Sequence, residues 1–263
     1  MPVLIAAIGA LGLAVGSFLN VVAYRVPAGL SLVSPGSHCP SCGHPVRARH
    51  NVPVLGWVVL RGRCFDCSAA ISARYPLVEL GTAALFVLTA VVLVRADRGA
   101  VVPAFLFLAS VGTALALIDL RTHRLPDRIV VPAYPVLLAL LTAASLASGD
   151  WAALARAAAG AGLCTGAYLL IRFVSPAGIG RGDVKLAGLL GLALGYLSWP
   201  ALAVGSFAAF VLGGVVGTAL LLTARRTRRS RIAFGPFMVA GVWVGLLAAQ
   251  PIAASYLDLT RVA

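Results

Sequence analysis

Eight long apolar runs divide this chain, at about residues 3–24, 76–94, 101–118, 129–147, 152–173, 184–199, 201–222 and 234–255, with the polar residues gathered between them. Within the runs apolar positions do not alternate with polar ones, which argues against half-buried strands. Stretches of roughly 20 apolar residues predict helices that cross a bilayer, because only a helix satisfies its own backbone there. The sixth run is short and ends at Trp199-Pro200. The first has no basic residue before its apolar core and no small-residue cleavage site, so it reads as a span and not a cleaved signal peptide.

Composition agrees with the pattern. The chain of 263 residues is 60% hydrophobic and 11% charged, against about 45–50% and about 25% in soluble domains. Its mean hydropathy of +0.98 marks an integral membrane protein, an all-α bundle of about eight transmembrane helices. The net charge of +13 is distributed unevenly, with 17 of the 21 Lys and Arg residues in segments on one side of the eight-span arrangement. The positive-inside rule makes that side cytoplasmic and both termini outward. Topology and attraction to anionic membrane lipid account for the charge, so no nucleic-acid partner is inferred. The basic loop RRTRRSR at 225–231 is read the same way, as a topology anchor.

Three regions follow: a lone span at 1–24, a soluble cytoplasmic insert at 25–75, and the remaining transmembrane bundle at 76–263. GLCTGAY and VLGGVVGTAL place small residues at intervals that permit close helix contact. No internal repeat is visible. The insert holds Cys39-Pro-Ser-Cys42 and Cys64-Phe-Asp-Cys67, two CxxC knuckles 21 residues apart. That spacing fits a four-thiolate structural zinc site. Two disulfides are the competing reading, disfavoured in a reducing compartment. An insert of about 50 residues is also near the size at which a small fold needs a metal. His38 and His44 flank the first knuckle, but four cysteines already close a tetrahedron. Cys164, inside an apolar span, reads as a packing residue. Glu79 enters the second span about one turn from its end, where it snorkels, pairs with a nearby Arg, or serves a site.

Only eight acidic residues occur, and Asp119 and Asp183 each sit beside a long apolar run in a turn-rich segment. Desolvating a carboxylate is costly, so such placements ask for a reason. Two carboxylates can hydrolyse an amide when one is ionised and draws a proton from water while the other donates to the carbonyl oxygen. Repulsion between them enforces that division, and the pair titrates as a unit. Asp119 and Asp183 would meet only if the third and sixth spans pack together. Gly178, Gly180 and Gly182 allow an extended, close-approaching backbone before Asp183. Three plainer readings stand beside this one: ordinary loop-end acids, a proton- or cation-coupled transporter, and a non-catalytic scaffold for a pilus or secretion machine. A transporter normally keeps its carboxylates near the bilayer midplane on broken helices of matched halves, whereas these lie at one face.

Five segments in order, GSFLNVVAYRVP, CPSC…NVP…LRGRCFDC…ISARYPLVE, DLRTHRLPD, GIGRGDVKL and FGPF, resemble the bacterial type IV prepilin peptidase family, aspartic membrane proteases of the GxGD kind. The resemblance runs from end to end. It implies catalytic carboxylates at Asp119 and Asp183, with Gly180 and Gly182 in the active-site loop of the GxGD at 180–183. It also implies zinc on Cys39, Cys42, Cys64 and Cys67, while Asp127 is non-catalytic and starts the next helix. Gly56 departs from the family, where many relatives have Ser. The implied substrates are prepilin or pseudopilin precursors, cut after a Gly at the edge of their apolar helix. The dyad and the zinc insert would lie on the cytoplasmic side of the bacterial inner membrane. Many relatives with the insert also methylate the new N-terminus with S-adenosylmethionine. No glycine-rich nucleotide loop points independently to that cofactor, and no cofactor-binding residue is assigned.

Overall fold

The computed structural model describes residues 2–176, 178–223 and 232–261, with side chains as far as 255. The basic loop at 225–231 lies outside the described residues. The helices are α1 (Pro2–Arg25), α2 (Leu55–Val59), α3 (Arg74–Arg95), α4 (Val102–Thr122), α5 (Asp127–Ser148), α6 (Trp151–Val174), α7 (Arg181–Leu197), α8 (Trp199–Leu222) and α9 (Gly235–Arg261). Among the described residues no strand forms. Two isolated bridges, His38 to Pro45 and Arg63 to Ala70, are the only β pairing there. All the long helices except α7 are long and apolar enough to cross a membrane, seven in all. The short sixth run is α7: 17 residues, about 25 Å at 1.5 Å per residue, less than the roughly 30 Å hydrocarbon core.

The chain divides into two compact units, Met1–Val102 and Pro103–Ala263. In the first, α1 and α3 run antiparallel at very close range. A Cβ on Gly12 would lie 2.6 Å from the Ala83 Cα, and one on Gly16 would lie 2.7 Å from the Glu79 Cα. Glycine spaced by four puts both on one helix face, so the backbones can touch. The insert is tied to these helices by buried polar groups. Arg25 ends α1 and donates to the carbonyls of Ser31, Pro35 and Gly36. Glu79, also buried, accepts the Val54 backbone N–H at 2.7 Å. That bond holds the start of α2, where Val54 sits at φ 61, a conformation β-branched residues rarely adopt. The role of Glu79 is therefore to anchor the insert. Gly56 lies one residue inside α2 and would drive a Cβ into the His50 carbonyl, so the local backbone demands glycine.

In the second unit α7 is the core helix, packed by α5, α6, α8 and α9. Every residue from Leu186 to Leu197 is buried, as expected of a helix that is apolar all round. Its interior glycines would each cost roughly 0.5–1 kcal/mol against alanine in water. Close contact with α6 offsets this, since a Cβ on Gly191 would lie 2.5 Å from the Gly160 carbonyl and one on Gly195 2.7 Å from the Arg156 carbonyl. Arg156 closes the far end of α7 by donating to the Gly195 and Tyr196 carbonyls, a cation on a helix C-terminus. The contact does not come from the glycines of GLCTGAY: Gly162 and Gly166 face open space, and Cys164 and Thr165 meet α7 instead. Ser198, in extended backbone, ends α7 and caps α8 through Ala201 N–H.

Candidate active site and metal centre

Asp119 occupies the last turn of α4 and is 4% exposed. After it the chain leaves the helix at His123, whose φ of 50 breaks the helical path, and Leu125-Pro126 leads straight into α5 at Asp127. The Asp119 Oδ2 accepts the Gly235 N–H at 2.9 Å. Gly235 opens α9, so the carboxylate takes up one of the unpaired amides of a helix N-terminus, where partial positive charge favours an anion.

Asp183 is the third residue of α7, and its Oδ2 accepts the Gly180 N–H at 2.8 Å. This is the acidic half of a capping box. Hydrogen bonding thus treats the two acids alike, each having one oxygen on a glycine amide at a helix start, although Asp119 is buried and Asp183 only half-buried. The carboxylates lie within electrostatic range of each other, but not through the expected packing of the third and sixth spans: among the described residues α4 and α7 make no extensive contact, and the turns at their ends meet instead at Leu125 and Gly182.

The glycines around them are required for space and not for an unusual backbone. Gly180 has φ −72, open to any residue, but its Cβ would lie 2.9 Å from the Asp183 Oδ2. A Cβ on Gly182 would lie 2.8 Å from the Leu125 Cβ, and one on Gly235 would lie 2.9 Å from the Asp119 Oδ2 and 3.3 Å from the Leu125 Cδ2. Leu125, in the turn that follows Asp119, is therefore wedged between the Asp183 turn and the start of α9. Sequence reasoning saw Leu125 only as part of a turn and missed the Gly235 amide. Their signals were the invitation to a tight contact in LP and the glycine within FGPF.

Other groups surround the pair. His123 is within electrostatic range of Asp119, and Tyr168 of Asp183. Tyr168 belongs to an aromatic cluster with Phe210 and Phe234, at centroid distances of 5.4 and 6.4 Å. Asp127 starts α5, as expected, and its exposed carboxylate pairs with Lys185 Nζ at 2.7 Å. Tyr134 donates to the Lys185 carbonyl at 2.6 Å, bracing the first turn of α7 against α5.

In the insert, the sulfurs of Cys39, Cys42, Cys64 and Cys67 lie within 4.8 Å of one another. Each knuckle folds back on its first cysteine: Cys39 N–H donates to the His44 carbonyl, and Cys64 N–H to the Ala69 carbonyl. Gly43 at φ 75 and Ser68 at φ 59 make the two turns. The Cys39 and Cys67 sulfurs are 3.8 Å apart, which matches the edge of about 3.8 Å in a tetrahedron with 2.3 Å zinc–sulfur bonds. All four thiols are free, so the disulfide reading does not hold. Backbone amides of Cys42 and Ser41 pull the Cys39 thiol down to about 6, as a metal-ligating thiolate requires. His38 turns to the Gly36 carbonyl, and no histidine joins the sulfur group among the described residues. Arg47 lies 4.2 Å over the Phe65 ring and pairs with Asp66 at 3.0 Å, bracing one knuckle against the other. Cys164 is remote in sequence and role, buried in α6 with its Sγ 3.5 Å from the Ser206 Oγ.

Two family models match the chain. Residues 10–93 match the bacterial peptidase A24 N-terminal domain, and residues 106–218 match the type IV leader peptidase family. Curated relatives are similar over nearly the whole length. The prepilin leader peptidase/N-methyltransferase of Aeromonas salmonicida (strain A449) is 36% identical, covering 94% of this chain and 91% of that protein. The proteins of the same name from Stutzerimonas stutzeri and Pseudomonas putida are 35% and 37% identical, each covering 95% of this chain and 93% and 92% of their own lengths. No solved structure matches.

Proposed function

This chain belongs to the type IV leader peptidase family, and from that membership we propose that it is a prepilin leader peptidase of the bacterial inner membrane, with Asp119 and Asp183 as its catalytic dyad. One observation carries the assignment. The two carboxylates share a neighbourhood, and each is held by a single oxygen on a glycine amide at a helix start. That leaves the second oxygen of each for water and substrate.

The ionised member of the pair takes a proton from a water molecule, and the water oxygen bonds to the scissile carbonyl carbon. The protonated member gives its proton to the carbonyl oxygen. The tetrahedral intermediate then collapses: the C–N bond breaks, the leaving amine takes up a proton from the now protonated member, and a hydroxyl of the intermediate returns its proton to the ionised member as the carboxyl forms. Base and acid belong to the pair and not to either residue alone. Gly180, Gly182 and Gly235 allow the backbone to approach the carboxylates; bulkier residues would push the loops apart.

The substrate class follows the relatives' name: precursors of pilin-like proteins, with the leader on the cytoplasmic side, the side that the arginine-rich segments favour for the dyad and the insert. The same name supports a second activity, N-methylation of the newly exposed amine with a methyl group supplied by S-adenosylmethionine. The four cysteines fit zinc as a structural ion that holds the two knuckles together. The decisive experiment incubates purified protein, wild type and Asp183→Asn, with a synthetic prepilin segment and follows mass. A leader-sized loss in the wild type alone supports the dyad, and full cleavage by Asp183→Asn removes it. A non-catalytic scaffold or a transporter would cleave nothing in either form.

A further inference from the structure

An apolar cavity of about 420 Å³ opens between α6 and α8, walled by Cys164, Tyr168, Leu202, Ala203, Ser206 and Phe210. It falls within the range of roughly 300–1,000 Å³ typical of ligand clefts. Leu163 at its rim is largely exposed, so the cavity faces outward, toward lipid, from two membrane-length helices. Its polar notch is Ser206, whose hydroxyl meets the Cys164 sulfur. Two of its wall residues lead toward the aspartates. Tyr168, in its wall, is within electrostatic range of Asp183. Phe210, also in its wall, stacks at 5.4 Å on Phe234, the residue before the Gly235 amide that holds Asp119.

The geometry points to this cleft as the seat of the substrate's membrane-embedded apolar helix, an inference that rests on the peptidase reading. An amide inside a helix has its carbonyl engaged four residues on and cannot present it to a dyad, whereas the peptide just past a helix end is free. A helix seated between α6 and α8 would insert apolar side chains into the cleft. Its N-terminal end would lie at the Tyr168–Phe210 wall, with the extended leader peptide that precedes it at the carboxylates. A lipid acyl chain could also fill the cleft but carries no peptide to the aspartates, so continuity with the dyad favours the helix. Ala203, exposed at the mouth of the cleft, then limits the side chains that can enter it.

The test uses full-length enzyme in phosphatidylcholine liposomes with a full-length prepilin. Ala203→Trp should raise KM about tenfold, the order of one apolar side chain lost from a pocket, with kcat held within about twofold. Val215→Trp, also exposed but about 120° round the same helix from Ala203 and outside the cleft lining, should match the wild type. Because a bulky residue can also disturb packing, a photo-crosslinking side chain at position 203, in an Asp183→Asn background, should capture the prepilin, while one at 215 captures lipid. Equal KM for wild type and Ala203→Trp, or crosslinks to prepilin as strong from 215 as from 203, overturns the cleft. Capture from 203 by a protein whose wild type cleaves no prepilin keeps the cleft and overturns the peptidase reading instead.

Discussion

Asp119 and Gly235 meet across 116 residues of chain, the buried carboxylate accepting the amide that opens α9 at 2.9 Å. Asp183 makes the equivalent bond to Gly180 within its own turn. Two helix N-termini therefore converge on the two acids, and each supplies a fixed donor and a partial positive charge. Among the described residues neither carboxylate forms a salt bridge with an arginine or lysine, so the glycine amides supply the anchoring.

The anchoring bond survives conversion of either acid to its amide, because an asparagine oxygen still accepts from a backbone N–H. Asp119→Asn and Asp183→Asn should therefore insert and accumulate like the wild type. Cleavage should fall by about a thousandfold or more, since neither variant can exchange a proton with water. Initial rates on a prepilin segment, with protein level followed by immunoblot, check this.

The contact between Leu125 and Gly182 gives a second expectation. Gly182→Ala places a methyl 2.8 Å from the Leu125 Cβ, an overpacking worth about 1–3 kcal/mol that must move one aspartate loop relative to the other. Cleavage should drop while helix content is kept. Leu125→Gly removes the Cβ that forms this wedge. Combined with Gly182→Ala it should recover part of the loss, a non-additivity that a double-mutant cycle measures directly. Strictly additive losses would mean that the two residues do not share a contact that matters.

Much of the fold was legible because membrane-length apolar runs leave little choice of structure. All eight runs appear as helices, with ends within a few residues of those expected. The sixth differs for identifiable reasons. GIGRGD reads as loop, yet Asp183 caps its own turn and starts α7 at Arg181; Ser198, whose backbone is extended, ends the helix at Leu197 and gives Trp199 to α8. The aspartates stood out because an acid beside a span is costly. Leu125, Gly235 and Tyr168 did not, since a leucine, a glycine and a tyrosine among many announce nothing until tertiary contacts bring them to the acids. The glycine pattern misled in one place. Gly162 and Gly166 have helix-contact spacing but face open space, while Gly160 and Gly191 make the contact, because which face meets a neighbour is decided by the neighbour.

Zinc should be present at about one equivalent in protein purified without chelator, and absent from the Cys39→Ser, Cys67→Ser double variant, as elemental analysis can establish. With the metal stripped, the thiols should differ in reactivity. The Cys42 and Ser41 amides hold the Cys39 thiol down to about 6, so it is a thiolate above that pH and protonated below. Alkylation followed by peptide mass spectrometry at pH 7 should mark Cys39 first, and its lead should vanish below about pH 6. Equal labelling of all four cysteines at pH 7 would contradict the backbone hydrogen bonds that lower it.

Asp127 offers the sharpest contrast, since it lies in the same turn-rich segment as Asp119 and carries the same carboxyl group. Its carboxylate pairs with Lys185, but the side chains are 61% and 44% exposed, and pairs so open to solvent contribute about 0–1 kcal/mol. The first turn of α7 does not depend on it, because Tyr134 separately holds the Lys185 carbonyl and Asp183 caps the helix from within. Asp127→Asn should therefore keep cleavage within about twofold of wild type at neutral pH, against the thousandfold loss at Asp119. A loss at Asp127 as deep as that at Asp119 or Asp183 would give the site a third functional carboxylate and would place the lysine pair inside the chemistry.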